Sequence, residues 1–258
     1  MKKSFIMGAM LLAAAATYAA DQIIDLSTPA AWTTRSVTAG KDAGTISVKS
    51  QAQIVGKKMI PVDAKHTYNF TGSVYVPEGK NAGTTYAGIM MYDKNKKYIG
   101  QINAVYEPNS ATELVEAVKK GSNILKIKAN KRWKALGHFW VGFNVQPGKL
   151  CKDLSNGPVT AIKTEGDVMT VTLKNKLAKD YAAGTKVRIQ KTGSYYYTNI
   201  IAVKAKETKF AKELKLNQLW PETAYISPMI LVNWSSKVDK KTLETVYKDL
   251  KFVIKEIK

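Results

Sequence analysis

One cysteine, two histidines and three arginines are all that 258 residues supply of those types, and each scarcity closes off a class of chemistry. Cys151 alone cannot form an internal disulfide, so stability has to come from packing. A lone thiol of this kind is read as a half-buried bystander. His66 and His138 stand far apart with no local motif, and a zinc site needs clustered ligands. Arginine supplies only Arg35, Arg132 and Arg188 among forty basic residues, whereas proteins that read nucleic-acid bases lean on arginine's planar fork. No serine segment, "GSYYYTN" included, forms a nucleophile elbow. Phosphate-loop and dinucleotide glycine patterns are missing too. Glu78, Glu107, Glu113, Glu165 and Glu222 sit mostly in turn-like or helical contexts and do not announce the facing pair a glycosidase needs. The sequence therefore nominates no catalytic residue.

What is present begins with a leader. Lys2 and Lys3 precede an apolar run from Phe5 to Ala16, and Thr17-Tyr18-Ala19 fits a small-x-small cleavage site. This predicts a signal peptide over residues 1–19, a mature chain from residue 20 to 258, and a product secreted or held at the cell surface or periplasm. No later segment has the length of a membrane-spanning helix. The formal charge is +20, and removing Lys2 and Lys3 leaves +18. Such a surface attracts polyanions, acidic polysaccharide among them. The lysines are scattered along the chain, as "DKNKK", "AVKKG" and "KVDKK" show, which equally describes an ordinary solvated surface.

Periodicity of two dominates the rest. "KHTYNFTGSVYV" sets Tyr68, Phe70, Gly72, Val74 and Val76 on one face against Thr67, Asn69, Thr71 and Ser73 on the other. "TTYAGIMMYD" is apolar on both faces, as for a covered central strand. "VMTVTLK", "TKVRIQ", "AYISPMILVNW" and "TVYKDLKFVIKEI" continue between Gly, Asn, Asp and Pro breaks. The pattern predicts an all-β fold, an antiparallel β-sandwich or jelly roll. One short helix is predicted after Ser110, with Glu113 completing a capping box, Leu114, Val115 and Val118 as the stripe, and Gly121 as the stop. "YDKNKKYIG" has the first two ligand spacings of a calcium loop at Asp93 and Asn95 but lacks the rest, and reads as a plain turn.

Aromatic rings carry the functional expectation. Flat exposed rings stack on the C–H face of sugars while polar neighbours meet the hydroxyls. Trp133, Trp140, the run Tyr195-Tyr196-Tyr197 and Trp220 are the candidates, with Asn144, Arg188 and Asn199 as polar companions. For any single tryptophan in a sandwich, packing is the competing role. In "KRWKALGHFWVGFN" the strand pattern puts Phe139, Val141 and Phe143 on a core face and Trp140 on the other. Tyr195 and Tyr197 share a face that Tyr196 does not.

The phrases "IPVD" (Ile60–Asp63) and "YNFTG" (Tyr68–Gly72), the strand "YAGIMMYDKNKKYIG" and the closing "WPETAYISPMILVNW…TVYKDLKFVIKEI" together resemble carbohydrate-binding-module-like jelly rolls of the family 4, 9 and 22 type, in the galactose-binding-like class. The likeness runs in order over nearly the whole mature chain, with roughly Asn156 to Lys191 left as a hairpin inserted into the sandwich. It implies a single non-catalytic domain that binds a polysaccharide or cell-surface glycan, neutral or anionic, with Trp133, Trp140, Tyr196 and Trp220 as stacking rings and Asn144 and Arg188 as partners. It also implies a structural calcium at Asp249, with Asp25 as a second ligand. Lys248 replaces the acidic neighbour usual there, and a cation beside the site opposes metal binding. Two other readings stay open at this point. One is an exported surface or matrix protein that contacts other proteins; the other is a secreted glycoside hydrolase or lyase.

Overall fold

The computed structural model describes residues 22–133, 138–234 and 239–257; the leader expected over residues 1–19 lies outside them. In chain order the strands are β1 (Gln22–Asp25), β2 (Val37–Ala39), β3 (Thr45–Val48), β4 (Ala52–Val55), β5 (Ile60–Pro61), β6 (His66–Tyr75), β7 (Thr84–Tyr92), β8 (Thr112–Glu113) and β9 (Ile124–Lys128). They continue as β10 (Phe139–Phe143), β11 (Asp153–Leu154), β12 (Val159–Glu165), β13 (Val168–Leu173), β14 (Lys186–Lys191), β15 (Tyr196–Ala202), β16 (Thr208–Glu213), β17 (Tyr225–Trp234) and β18 (Thr245–Glu256). One α-helical turn, α1, spans Gln101–Ala104. Among the described residues no helix is long and apolar enough to cross a membrane.

The fold is an all-β antiparallel sandwich. One sheet runs β16-β6-β18-β3-β2, with β1 also paired to β18; the other runs β15-β7-β17-β4, with β5 on β17. Alternation decides which side chains meet between them. Phe70 and Val74 of β6, Ile46 and Val48 of β3, and Tyr247 and Phe252 of β18 face Ala87 and Ile89 of β7 and Ile226 and Ile230 of β17, all in one buried cluster. In β18 the register slips between Lys248 and Lys251, which pair with Ser73 and Thr71. The one extra residue sends Leu250 into the core and leaves Asp249 outside at φ 52°. Gly72 sits under this bulge because a Cβ there would lie 2.6 Å from Leu250 Cδ2.

Between β7 and β15 the chain builds a second body. Its sheets, β11-β10-β14-β8 and β12-β13-β9, enclose a separate core that includes Leu125, Ile127, Phe139, Val141, Phe143, Val171, Val187 and Ile189. The insertion expected at 156–191 thus supplies strands to both sheets, β12 and β13 to one and β14 to the other, of a body whose core begins at Leu114.

The helix expected after Ser110 does not form. The Ser110 hydroxyl instead donates to the Glu107 carbonyl and accepts the Ile189 amide. Glu113 pairs with Lys186 across the sheet. Leu114 and Val118 do point into the second core, but from extended chain bridged to Ile127 and Tyr181. Val115, which a helical stripe would have buried, is exposed. Strand pairing there satisfies the backbone that the capping box would have served in a helix.

Candidate functional site: a tyrosine face on the sandwich

Of the rings expected to stack on a ligand, the structure buries Trp133 and leaves Trp140, Tyr196 and Trp220 half-buried. Trp133 is 1% exposed, gives its indole N–H to the Ser110 carbonyl at 2.7 Å and meets Phe139 edge-on. It packs the second core and has no free face for a ligand. Arg188 is 4% exposed. Its Nε donates to Gln190 at 2.6 Å, its other nitrogens reach the Gln146 and Lys149 carbonyls, and its guanidinium lies 4.1 Å from the Tyr106 ring. Burial pulls the Arg188 pKa down and pushes the neighbouring Cys151 thiol up. Neither residue is offered to solvent.

Trp140 is half-buried and pairs with Gln190, whose amide binds α1 backbone carbonyls. Asn144 is exposed but tied to Asp153 at 3.0 Å. Tyr196 packs on the sandwich core and accepts the Lys215 amide at its hydroxyl. Trp220 is half-buried against the same core. Of the six residues, the fold gathers Trp140 and Arg188 on one face of the second body, and that face is largely covered by α1 and the chain around Gln146–Cys151.

The calcium reading meets a poor donor set. Asp25 spends one carboxylate oxygen on the Ser27 amide, and Asp249 shares its surroundings with Lys209 and Lys251. Among the described residues no group of three or more His, Cys, Asp or Glu side chains is placed to hold a metal ion. These residues do not fit the ion. The turn carboxylate of Asp93 is likewise engaged, accepting the amides of Asn95 and Lys97.

A different aromatic surface emerges on the outer face of the sheet β15-β7-β17-β4. Because Ala87, Ile89 and Met91 point into the core, Tyr86, Gly88, Met90 and Tyr92 point outward. Tyr225 pairs with Tyr92, and Tyr197 pairs with Gly88. The strand β15 comes so near that a Cβ on Gly88 would meet the Tyr196 carbonyl at 2.2 Å. Tyr98 arrives on the turn that follows β7 and bridges back to Tyr92.

The rings then touch in series. Tyr86 and Tyr197 have centroids 5.1 Å apart, Tyr195 and Tyr197 6.3 Å, and Tyr92 and Tyr98 6.3 Å. Burial and a hydrogen bond with Tyr195 push the Tyr98 phenol up; burial also raises Tyr197, and raises Tyr92 against a lowering hydrogen bond from Ser227. All therefore stay protonated donors at neutral pH. Met229 and Leu231 lie buried below this layer, outside both cores, with Gln53 Nε2 resting on the Met90 and Met229 sulfurs. Lys96 Nζ stands 5.6 Å from the Tyr225 ring centroid. Beside Tyr98 a cavity of about 170 Å3 is lined by Asp93, Lys97, Asn103 and Cys151. The sequence carried one signal for this surface: Tyr86 and Tyr92 share a face of one strand, and Tyr195 and Tyr197 share a face of another. Which strands lie side by side was the missing information.

No family model matches the chain, and no curated protein matches it. Among solved structures, the mavirus penton protein is similar over 83% of this chain and 98% of its own, at 8% identity and a TM-score of 0.18. At that score the likeness carries no argument about fold or function.

Proposed function

We propose that this protein is a non-catalytic carbohydrate-binding protein and that its ligand lies on the tyrosine face of the β15-β7-β17-β4 sheet. The observation that carries this reading is contiguity: Tyr86, Tyr197, Tyr195, Tyr98 and Tyr92 form one connected strip with Tyr225 beside it. A tyrosine serves a sugar twice, through a ring that takes the apolar C–H face and a hydroxyl that stays in water to meet the rim. Had the rings only to shield Met229 and Leu231, aliphatic side chains would do so without presenting a row of phenols. Tyr98 retains 39% exposure and Lys96 adds a cation at one end, which suits a glycan that is neutral or carries acid groups.

Affinity electrophoresis through gels containing a panel of neutral and acidic polysaccharides tests the reading. Retardation by at least one polysaccharide is expected. Tyr98→Ala and Tyr225→Ala should each weaken it by about 1–3 kcal/mol, the scale of a base stacked on an aromatic ring. Retardation no greater than that of an inert protein of equal positive charge would overturn it.

A further inference from the structure

The opposite sheet carries a cleft that the tyrosine face does not use. About 560 Å3 in volume, it opens on the outer side of β6, β16 and β18 and is lined by Thr71, Ser73, Glu207, Lys209, Asp249 and Lys251. Two features mark it as more than a crease between strands. Ser73 is 3% exposed, yet among the described residues its hydroxyl finds no hydrogen-bond partner, and a buried polar group left unmet is costly. The β18 bulge turns Asp249 outward at φ 52°, a conformation an aspartate visits only at some cost in energy.

The charges point to the ligand. Among the described residues neither Glu207 nor Asp249 forms an ion pair with Lys209 or Lys251. Two carboxylates and two ammonium groups thus share one cleft without direct ion-pair contacts. A purely anionic ligand would be repelled by the acids, and a purely cationic one by the lysines. We propose that the cleft binds a zwitterion of the amino-acid type, free or as a short peptide. Lys209 and Lys251 receive its carboxylate, Asp249 and Glu207 receive its ammonium, and Ser73 and Thr71 bond the polar atoms between. This site is independent of the carbohydrate reading and stands on the other face of the sandwich.

Amide NMR titration with triglycine tests it, with triglycine blocked at both ends by N-acetyl and C-terminal amide groups as the control. Free triglycine should shift resonances of β6, β16 and β18 and saturate by about the millimolar range, while the blocked peptide binds at least tenfold more weakly. Glycine in place of triglycine tells a free amino acid from a peptide as the preferred occupant. Ser73→Ala should weaken triglycine about tenfold while the thermal midpoint holds or rises, because the orphaned hydroxyl is gone. Asp249→Asn, which keeps a residue tolerant of positive φ, should also weaken it. Tyr98→Ala should leave it unchanged. Equal binding of blocked and free peptide, no binding of either, or full affinity in the Ser73 and Asp249 variants would each overturn the proposal.

Discussion

Trp133 and Tyr98 show how one residue type's ordinary role misleads and another's goes unnoticed. The Trp133 indole N–H is met inside the protein by the Ser110 carbonyl and its ring is clasped by Phe139, so removing it leaves a hole and a bare carbonyl. Trp133→Ala should lower unfolding free energy by about 3–5 kcal/mol, the range for deleting a large buried ring, as read by chemical denaturation. The folded fraction should still bind glycan like the parent. A loss of affinity without a loss of stability would return Trp133 to the binding surface. In sequence the tryptophans stand out by rarity and size, whereas Tyr86 and Tyr92 are two apolar positions of a strand and Tyr98 falls in a turn. What separates Trp133 from Tyr98 is burial, and burial depends on neighbours far along the chain.

At the scale of elements, the strands were legible because alternation is written locally. Tyr68, Phe70 and Val74 fall inward as their spacing requires, and so do Phe139, Val141 and Phe143. The segment after Ser110 was illegible for a related reason. Leu114 and Val118 satisfy a period of four, and the same two positions satisfy a period of two, so only the partner strand settles the ambiguity. The sequence pattern marks residues 156–191, the hairpin β12–β13 among them, as an addition to the sandwich. Yet β13 brings Met169, Val171 and Leu173 into the second core and covers β9. Replacing residues 159–173 by a short linker should therefore open that core. Limited proteolysis should cut between Leu114 and Ile189 while the sandwich strands persist as resistant fragments. An unchanged digestion pattern would mean that the hairpin is dispensable.

For the whole molecule, composition is informative about the field around it and silent about where a ligand sits. A charge of +20 attracts any polyanion, and this attraction is screened as salt approaches physiological strength and beyond. Stacking on tyrosine is not screened in that way. Raising salt from about 0.05 M to 0.5 M, where the Debye length falls to a few ångströms, should release the protein from a sulfonated resin and leave its retention by a neutral polysaccharide largely intact. Loss of both together, with no competition by free sugar, would favour an electrostatic contact with an anionic envelope or another protein.

The strands β7 and β15 are hydrogen-bonded neighbours, Ile89 opposite Tyr196, although the whole second body separates them in sequence. Stretching a ten-residue connection to roughly a hundred raises the entropic cost of closing it by about 2 kcal/mol, a burden on the edge that bears the tyrosines. Contacts inside the inserted body close shorter stretches of chain in steps, Leu114 with Ile127, then Val118 with Tyr181 and Tyr106 with Gln190. Once they form, Tyr92 and Tyr196 are held near each other and the long connection behaves as a short one. The second body is thus a folding clasp: the tyrosine strip is completed after it snaps shut, and damage far from the strip can slow the strip's assembly.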